Sequence, residues 1–278
     1  MSYITREMVQ AALQKMQKYH SAQQRVHDQF GLDFSENRGR RNIIMSQAQE
    51  KFLAQELSKT FSEVRSDGRP GESDIFIGAL ERELECKITS PLIGTGAISL
   101  QTDYETLEKK GALDYLYIIA CSEFEKFCVL HFEGLEASDF RPPSTGSRGR
   151  AQMIKHLGMR KCTVLTGEAV NLIERKTLEM QSSLEQIDRE LDSEITTVHE
   201  RIQALESCLA VGVDPQDGSV INGRRRSAIK KQIERARARP AYLRKLFNNR
   251  QARIRSKLRT WQDKPGRFTF VLEPLPKE

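Results

Sequence analysis

The chain has 278 residues, with 44 Lys and Arg against 38 Asp and Glu and 38% apolar residues, enough for one sizeable core beneath a heavily charged surface. No apolar run approaches the roughly 20 residues of a membrane span, and the opening MSYITREMVQ lacks the apolar stretch of a secretory signal. Five scattered cysteines without a CxxC pair argue against a structural zinc site and predict reduced thiols in a cytoplasmic protein.

Taken in chain order, the pattern predicts a helix over residues 4–29, where Met8, Ala12, Leu13, Met16 and His20 recur at helical spacing. A polar break follows at Gly31–Arg41. A second helix is expected over 45–64, with Ala48, Phe52, Leu53, Leu57 and Phe61 as its stripe. The run Ser66–Gly71 is a dense turn signal. Asp74–Gly78 and Arg82–Thr89 then read as two strands of a hairpin. Ser99–Lys110 reads as a helix, and Leu113–Ala120 and Lys126–Phe132 as strands. Together these predict an α/β core, a mixed sheet flanked by helices. Residues 141–150 (RPPSTGSRGR) form a loop, with a short helix expected at Ala151–Leu157.

Beyond this the pattern becomes helical for a long stretch. Leu184, Ile187, Leu191, Ile195, Val198, Ile202, Leu205 and Leu209 make an approximate heptad seam. Gly212–Gly223 is a turn region, and a second long helix runs from about Arg224 to Trp261, with Pro240 as an expected break. The two predict an antiparallel, coiled-coil-like helical hairpin. Phe268–Leu272 is a last strand returning to the sheet. The expected organisation is a core at 1–165, a basic hairpin arm at 166–262 and a returning strand at 263–278.

The chemistry concentrates in Gly71–Thr89. Along a strand Glu83, Glu85 and Lys87 share one face, while Leu84, Cys86 and Ile88 point the other way. The hairpin brings Asp74 beside Glu85. Two carboxylates and the Cys86 carbonyl offer the hard oxygen ligands that Mg²⁺ prefers. Lys87 beside them suits it to orient or help deprotonate a water, or to stabilise charge developing on a phosphate.

Asp74 and the Glu85-Cys86-Lys87 triplet resemble the PD-(D/E)xK nuclease superfamily, which includes many type II restriction endonucleases. The resemblance covers roughly residues 45–132. It implies a restriction-endonuclease-like fold, a Mg²⁺ cofactor that Mn²⁺ can replace, and a catalytic set of Asp74, Glu85, Lys87 and an upstream helical Glu. Glu50 fits that last position best and Glu56 second. It also implies that Gln101 faces the site. Ser73 stands where the motif has Pro, and the spacing of Gln101 and Tyr104 departs from the RecB-like pattern.

Charge supplies a second expectation. From Arg224 to Glu278, Lys and Arg outnumber Asp and Glu 18 to 4, whereas Met1–Gly223 carries 26 against 34. A basic arm on an acidic body predicts a polyanionic partner, here double-stranded DNA. Arg224, Arg225, Arg226, Lys230 and Lys231 are candidate phosphate contacts. The competing expectation pairs these bases with acids of the facing helix. Ser147, Arg148 and Arg150 are candidate contacts from the Gly-rich loop, with Arg150 opening the next helix. No GxxxxGKS/T loop is present, so ATP is not expected as a partner. These readings converge on a site-specific double-strand deoxyribonuclease acting as a homodimer. A structure-selective repair or junction nuclease and a non-catalytic DNA-binding scaffold are the alternatives.

Overall fold

In the computed structural model, residues 2–66, 73–214, 218–262 and 264–276 are described. The predicted turn therefore lies, from Asp67 on, outside the described residues. Helix α1 (Arg6–Gln29) starts where the Thr5 side chain accepts from the Met8 amide, and buries Val9, Ala12, Leu13, Met16 and His20. Helix α2 (Arg38–Leu57) starts seven residues earlier than expected, within the supposed polar break, and stops before Phe61. The reason is Arg41, a buried cation that reads as surface. Its guanidinium donates to the Cys121 carbonyl (2.9 Å), Ser90 Oγ (2.8 Å) and Asn42 Oδ1, and lies over the Phe124 ring. Asn37 caps the helix by accepting from the Arg40 amide.

Strand β1 is Val64–Arg65, β2 is Ile75–Ile77 and β3 is Arg82–Thr89, with a 3₁₀ turn over Gly78–Leu80 completing the expected hairpin. The next segment departs from expectation. Gln101–Asp103 is strand β4, and only Tyr104–Lys110 is helix α3. Asp103 accepts from the Thr106 amide (2.9 Å) and so marks the helix start. The three residues before it are drawn into a sheet by a partner distant in sequence. Strands β5 (Ala112–Ala120) and β6 (Lys126–Glu136) form the buried centre. Then come β7 (Phe140–Arg141), β8 (Arg150–Met153) and the single turn α4 (Lys155–Gly158). A helix at 151–157 was expected. Ala151 and Met153 instead point inward and Gln152 outward, the alternation of a strand. Arg150 accordingly lies on a strand rather than at a helix start.

Two further strands, β9 (Cys162–Thr166) and β10 (Glu168–Asn171), precede the long helices α5 (Leu172–Val211) and α6 (Gly223–Gln262). The chain ends in β11 (Phe268–Val271) and β12 (Glu273–Pro274). The main sheet runs β1-β2-β3-β5-β6-β12, with β9 also on β6. It is mixed: β3 and β5 are parallel, and the other pairs antiparallel. One face packs on α1 and α2 through Leu84, Cys86, Leu116 and Ile118. The other carries Tyr115, Tyr117, Leu130 and Phe132, together with residues of a small sheet of order β4-β8-β7. Strands β10 and β11 pair with each other.

Two compact units result. One comprises Met1–Leu172 with Gly266–Glu278, the other Ile173–Pro265. In the second, α5 and α6 run antiparallel. Ile187 packs with Leu243 and Phe247, while Ile202, Leu205 and Leu209 pack with Ile229 and Ile233. Pro240 lies inside α6 without ending it. Its missing amide removes one helical bond, but apolar clusters on both sides hold the helix in line. Among the described residues, no helix is long and apolar enough to cross a membrane.

Candidate active site

The site grows from the shortness of β2. Its three residues pair with Leu84, Glu83 and Arg82 of β3, so the ladder stops at Ile75–Leu84. From Glu85 onward this edge of β3 has lost its partner strand. Asp74, the residue just before β2, fills the gap with its side chain. Asp74 Oδ2 accepts from the Cys86 amide at 2.7 Å. A backbone donor that would otherwise lack a partner thereby fixes the carboxylate opposite Glu85. The N–H and C=O of one strand residue point to the same edge, so the Cys86 carbonyl faces the same space.

Alternation along β3 does the rest. Leu84 and Cys86 enter the apolar cluster under α1 and α2, and Glu85 and Lys87 take the other face. Lys87 Nζ lies 2.8 Å from Glu85 Oε2 and 3.9 Å from Asp74 Oδ2. The Lys87 side chain keeps 32% of its surface exposed and Glu85 only 12%, so the group is sunken yet open to one side. Glu50, half-buried on α2, feels Asp74, Lys87 and Glu85 electrostatically.

The electrostatics are those of crowded carboxylates. Burial, reinforced by Asp74 and Glu85 against the pull of Lys87, pushes Glu50 up to about 7. Burial and Asp74 also raise Glu85, with Lys87 opposing. For Lys87, burial acts downward, but the attraction of Glu85 and Asp74 outweighs it and the net shift is upward. Three acids share one ammonium, an excess of negative charge that a divalent cation would relieve. Among the described residues, no three Asp, Glu, His or Cys side chains form a ready metal cage. Magnesium does not require one, since it keeps several waters and takes one or two carboxylates. Asp74, Glu85 and the Cys86 carbonyl fit that demand.

Glu56, the second choice for the helical acid, has a different task. It is buried and holds Lys15 (2.7 Å) and Lys59 (2.5 Å). Gln101 sits on β4, exposed, rather than on a helix. Its carbonyl accepts from the Tyr117 hydroxyl at 2.8 Å, and the neighbouring Thr102 hydroxyl bonds that of Tyr115 at 2.7 Å. Tyr115 and Tyr117 are the β5 partners of Glu85 and Lys87. Through these tyrosines the Gln101 backbone is linked to the strand beside Glu85 and Lys87. Ser147, Arg148 and Arg150 belong to the same neighbourhood, because β4 pairs with β8 and the Tyr104 amide donates to the Gly149 carbonyl (3.1 Å). Ser147 is half-buried within a tight turn. Arg148 and Arg150 are exposed.

Arg224, Arg225, Arg226, Lys230 and Lys231 lie on the first turns of α6 and are exposed. Arg225 bonds Asp214 and Ser219 Oγ in the hairpin turn. Arg237 and Arg250 pair with Glu206 (2.6 Å) and Glu190 (3.2 Å) of α5. The expected pairing of arm bases with acids of the facing helix thus holds for Arg237 and Arg250.

In comparisons with family models, curated proteins and solved structures, nothing matches the chain.

Proposed function

We propose that the chain is a Mg²⁺-dependent DNA endonuclease of restriction-endonuclease-like fold, cutting both strands at specific sites. The observation that carries this reading is the group at the open edge of β3. Asp74 is fixed by the Cys86 amide, Glu85 lies beside it, and Lys87 Nζ is 2.8 Å from Glu85. A mixed sheet with two acids and a lysine at the interrupted edge of a hairpin suits hydrolysis of a phosphodiester. Bound between Asp74, Glu85 and the Cys86 carbonyl, Mg²⁺ supplies charge neutralisation and a more acidic water.

The residues divide the remaining work. Asp74 and Glu85 hold the negative charge that fixes the cation. Lys87, kept protonated by its two carboxylates, donates to a non-bridging phosphate oxygen as charge develops there. Among the described residues the Glu50 side chain has no hydrogen bond, whereas Asp74 is engaged by Cys86 and Glu85 by Lys87. Glu50 is therefore the free acceptor for the water proton. The water oxygen bonds to phosphorus, the bond from phosphorus to the leaving sugar oxygen breaks, and that oxygen is protonated from solvent.

Cutting both strands at one site calls for two active sites, so the working form is a homodimer whose two-fold symmetry matches a palindromic site. Incubation with phage or plasmid DNA and Mg²⁺ tests the reading. Discrete fragments are expected with Mg²⁺ or Mn²⁺, and binding without cutting in Ca²⁺. Asp74→Ala and Lys87→Ala should abolish cleavage while the protein still folds. Cleavage in EDTA would overturn the metal mechanism, and cutting only at junctions or flaps would move the reading to a repair nuclease. Light scattering should show a dimer on DNA. The ion pairs Arg237–Glu206 and Arg250–Glu190 favour one rival, a non-catalytic helical scaffold. It predicts no metal-dependent cleavage at all.

A further inference from the structure

The small sheet β4-β8-β7 has two unlike faces. Inward it presents Thr102, Ala151, Met153 and Phe140, all buried. Outward, cross-strand register sets Gln101 opposite Gln152, and Gln152 opposite Arg141. A second row sets Asp103 opposite Arg150. All five are exposed. Asp103 is committed to capping α3. The side chains of Gln101, Gln152, Arg141 and Arg150 make no hydrogen bond or ion pair among the described residues. Two amides and a guanidinium thus stand in one row across three strands, with their donors and acceptors unspent.

The row is rigidly joined to the catalytic strand. The Tyr115 hydroxyl bonds Thr102 at 2.7 Å, and the Tyr117 hydroxyl donates to the Gln101 carbonyl at 2.8 Å. These tyrosines are the ladder neighbours of Glu85 and Lys87. The β4–β8 ladder itself continues one residue further, where the Met153 amide donates to the Leu100 carbonyl (2.8 Å). A polar row held one side chain away from the cutting residues has a fixed reach to whatever polymer lies across them.

Resting on the nuclease reading, we propose that the outer face of β4-β8-β7 is the base-reading surface. Gln101, Gln152 and Arg141 contact base edges in the major groove, and Arg150 contacts the backbone. The chemistry is specific to this partner. Gln pairs in bidentate fashion with adenine N6 and N7, and Arg with guanine O6 and N7. The major groove admits a β-ribbon. Adjacent strands also set opposed side chains about 5 Å apart, close enough for Gln101 and Gln152 to read neighbouring positions. The two rows divide as positioning and specifying contacts do. The Ser147–Gly149 turn then serves to join β7 to β8, with Arg148 and Gly149 in left-handed backbone, and does not itself read the sequence.

The test selects bound sequences from a library of random duplex DNA in Ca²⁺, and separately maps cut sites in phage DNA with Mg²⁺. It compares the native protein with Gln152→Ala, Arg141→Ala and Arg150→Ala. All three positions are exposed, so a melting curve should show the fold unchanged. The proposal expects Gln152→Ala and Arg141→Ala each to relax preference at one or two base pairs by about ten- to hundredfold. It expects Arg150→Ala to weaken all sequences alike and to reduce the salt dependence of binding. Cleavage by the Gln152→Ala and Arg141→Ala variants with unaltered base preference would overturn the reading surface and leave the nuclease standing. Sequence-selective binding that relaxes in these variants, without cutting by the native protein, would support the surface and sink the nuclease. Failure of the native chain to bind any duplex would overturn both.

Discussion

Asp74 is structural by observation and chemical under the proposed function. By accepting from the Cys86 amide it replaces the β2 strand that has just ended, and by the same bond it is held beside Glu85 and Lys87. Asp74→Ala therefore leaves one backbone donor without its partner, at a cost of roughly 1–3 kcal/mol. Asp74→Asn keeps an oxygen in place and should fold with nearly native stability while losing cleavage about as fully. A melting curve beside a plasmid assay distinguishes the two contributions. Two histidines outside the site set the acid limit of the fold. Burial drives His131 down to about 4, helped by Arg82 and opposed by Asp114. Burial and Arg41 drive His20 to about 4, with Asp33 opposing. Both values lie below the ordinary 6.5, so the unfolded chain binds more protons than the folded one between them. Stability should thus be full above pH 6.5 and fall as pH drops toward 4, by up to roughly 3 kcal/mol for each histidine. His20→Phe, at a position stacked on Phe124 at 5.1 Å, should flatten part of that slope. Chemical denaturation at pH 7 and pH 4.5 reads the change, and a slope identical to the native one would refute the assignment.

Among the elements, α6 carries two kinds of arginine, and the difference predicts two kinds of variant. Arg225 is tied to Asp214 and Ser219, so Arg225→Gln should lower the melting temperature of the hairpin. Arg224 and Arg226 are exposed on the same turn. Replacing both with Gln should leave the melting curve alone. If they meet phosphates, the slope of log affinity against log salt should shrink by about 0.9 for each phosphate that is no longer neutralised. An unchanged slope would assign the arm to internal pairing. The elements also show what the sequence could and could not tell. The β2–β3 hairpin was legible because alternation, a turn and a charged face coincide within 20 residues. The α5–α6 seam was legible because its apolar positions repeat many times. The small sheet was not. Strand β4 has three residues and β8 four, too few for a period to emerge, and each is defined by neighbours distant in sequence. The start of helix α2 is hidden in the sequence because a buried Arg41 looks like surface until its carbonyl partners are in view. Gln101 was named from the resemblance, but Gln152 and Arg141 carry no sequence signal. Only the register puts them in its row.

For the whole molecule, the joint at which the chain leaves and re-enters the first unit matters most. Strands β10 and β11 pair over four residues from Glu168–Val271 to Asn171–Phe268, and the Leu172 amide donates to the Arg267 carbonyl at 2.7 Å. The chain therefore leaves for α5 and returns from α6 through neighbouring positions about 5 Å apart. Excising residues 173–265 would leave Leu172, Gly266 and Arg267 as a three-residue turn between paired strands, a length that hairpins commonly use. The shortened protein should melt cooperatively and, under the proposed function, keep Mg²⁺-dependent cutting. Its affinity should become less sensitive to salt if the arm grips DNA. A molten product would show that the first unit depends on the second for its stability. The same joint works in the other direction. Seven residues added to each helix would preserve the seam and lengthen the arm by about 10 Å, with no strand of the first unit displaced. Such a splice point lets the length of the arm vary by whole heptads while Asp74, Glu85 and Lys87 stay where they are, so under the proposed function the span of duplex gripped could be retuned independently of cutting.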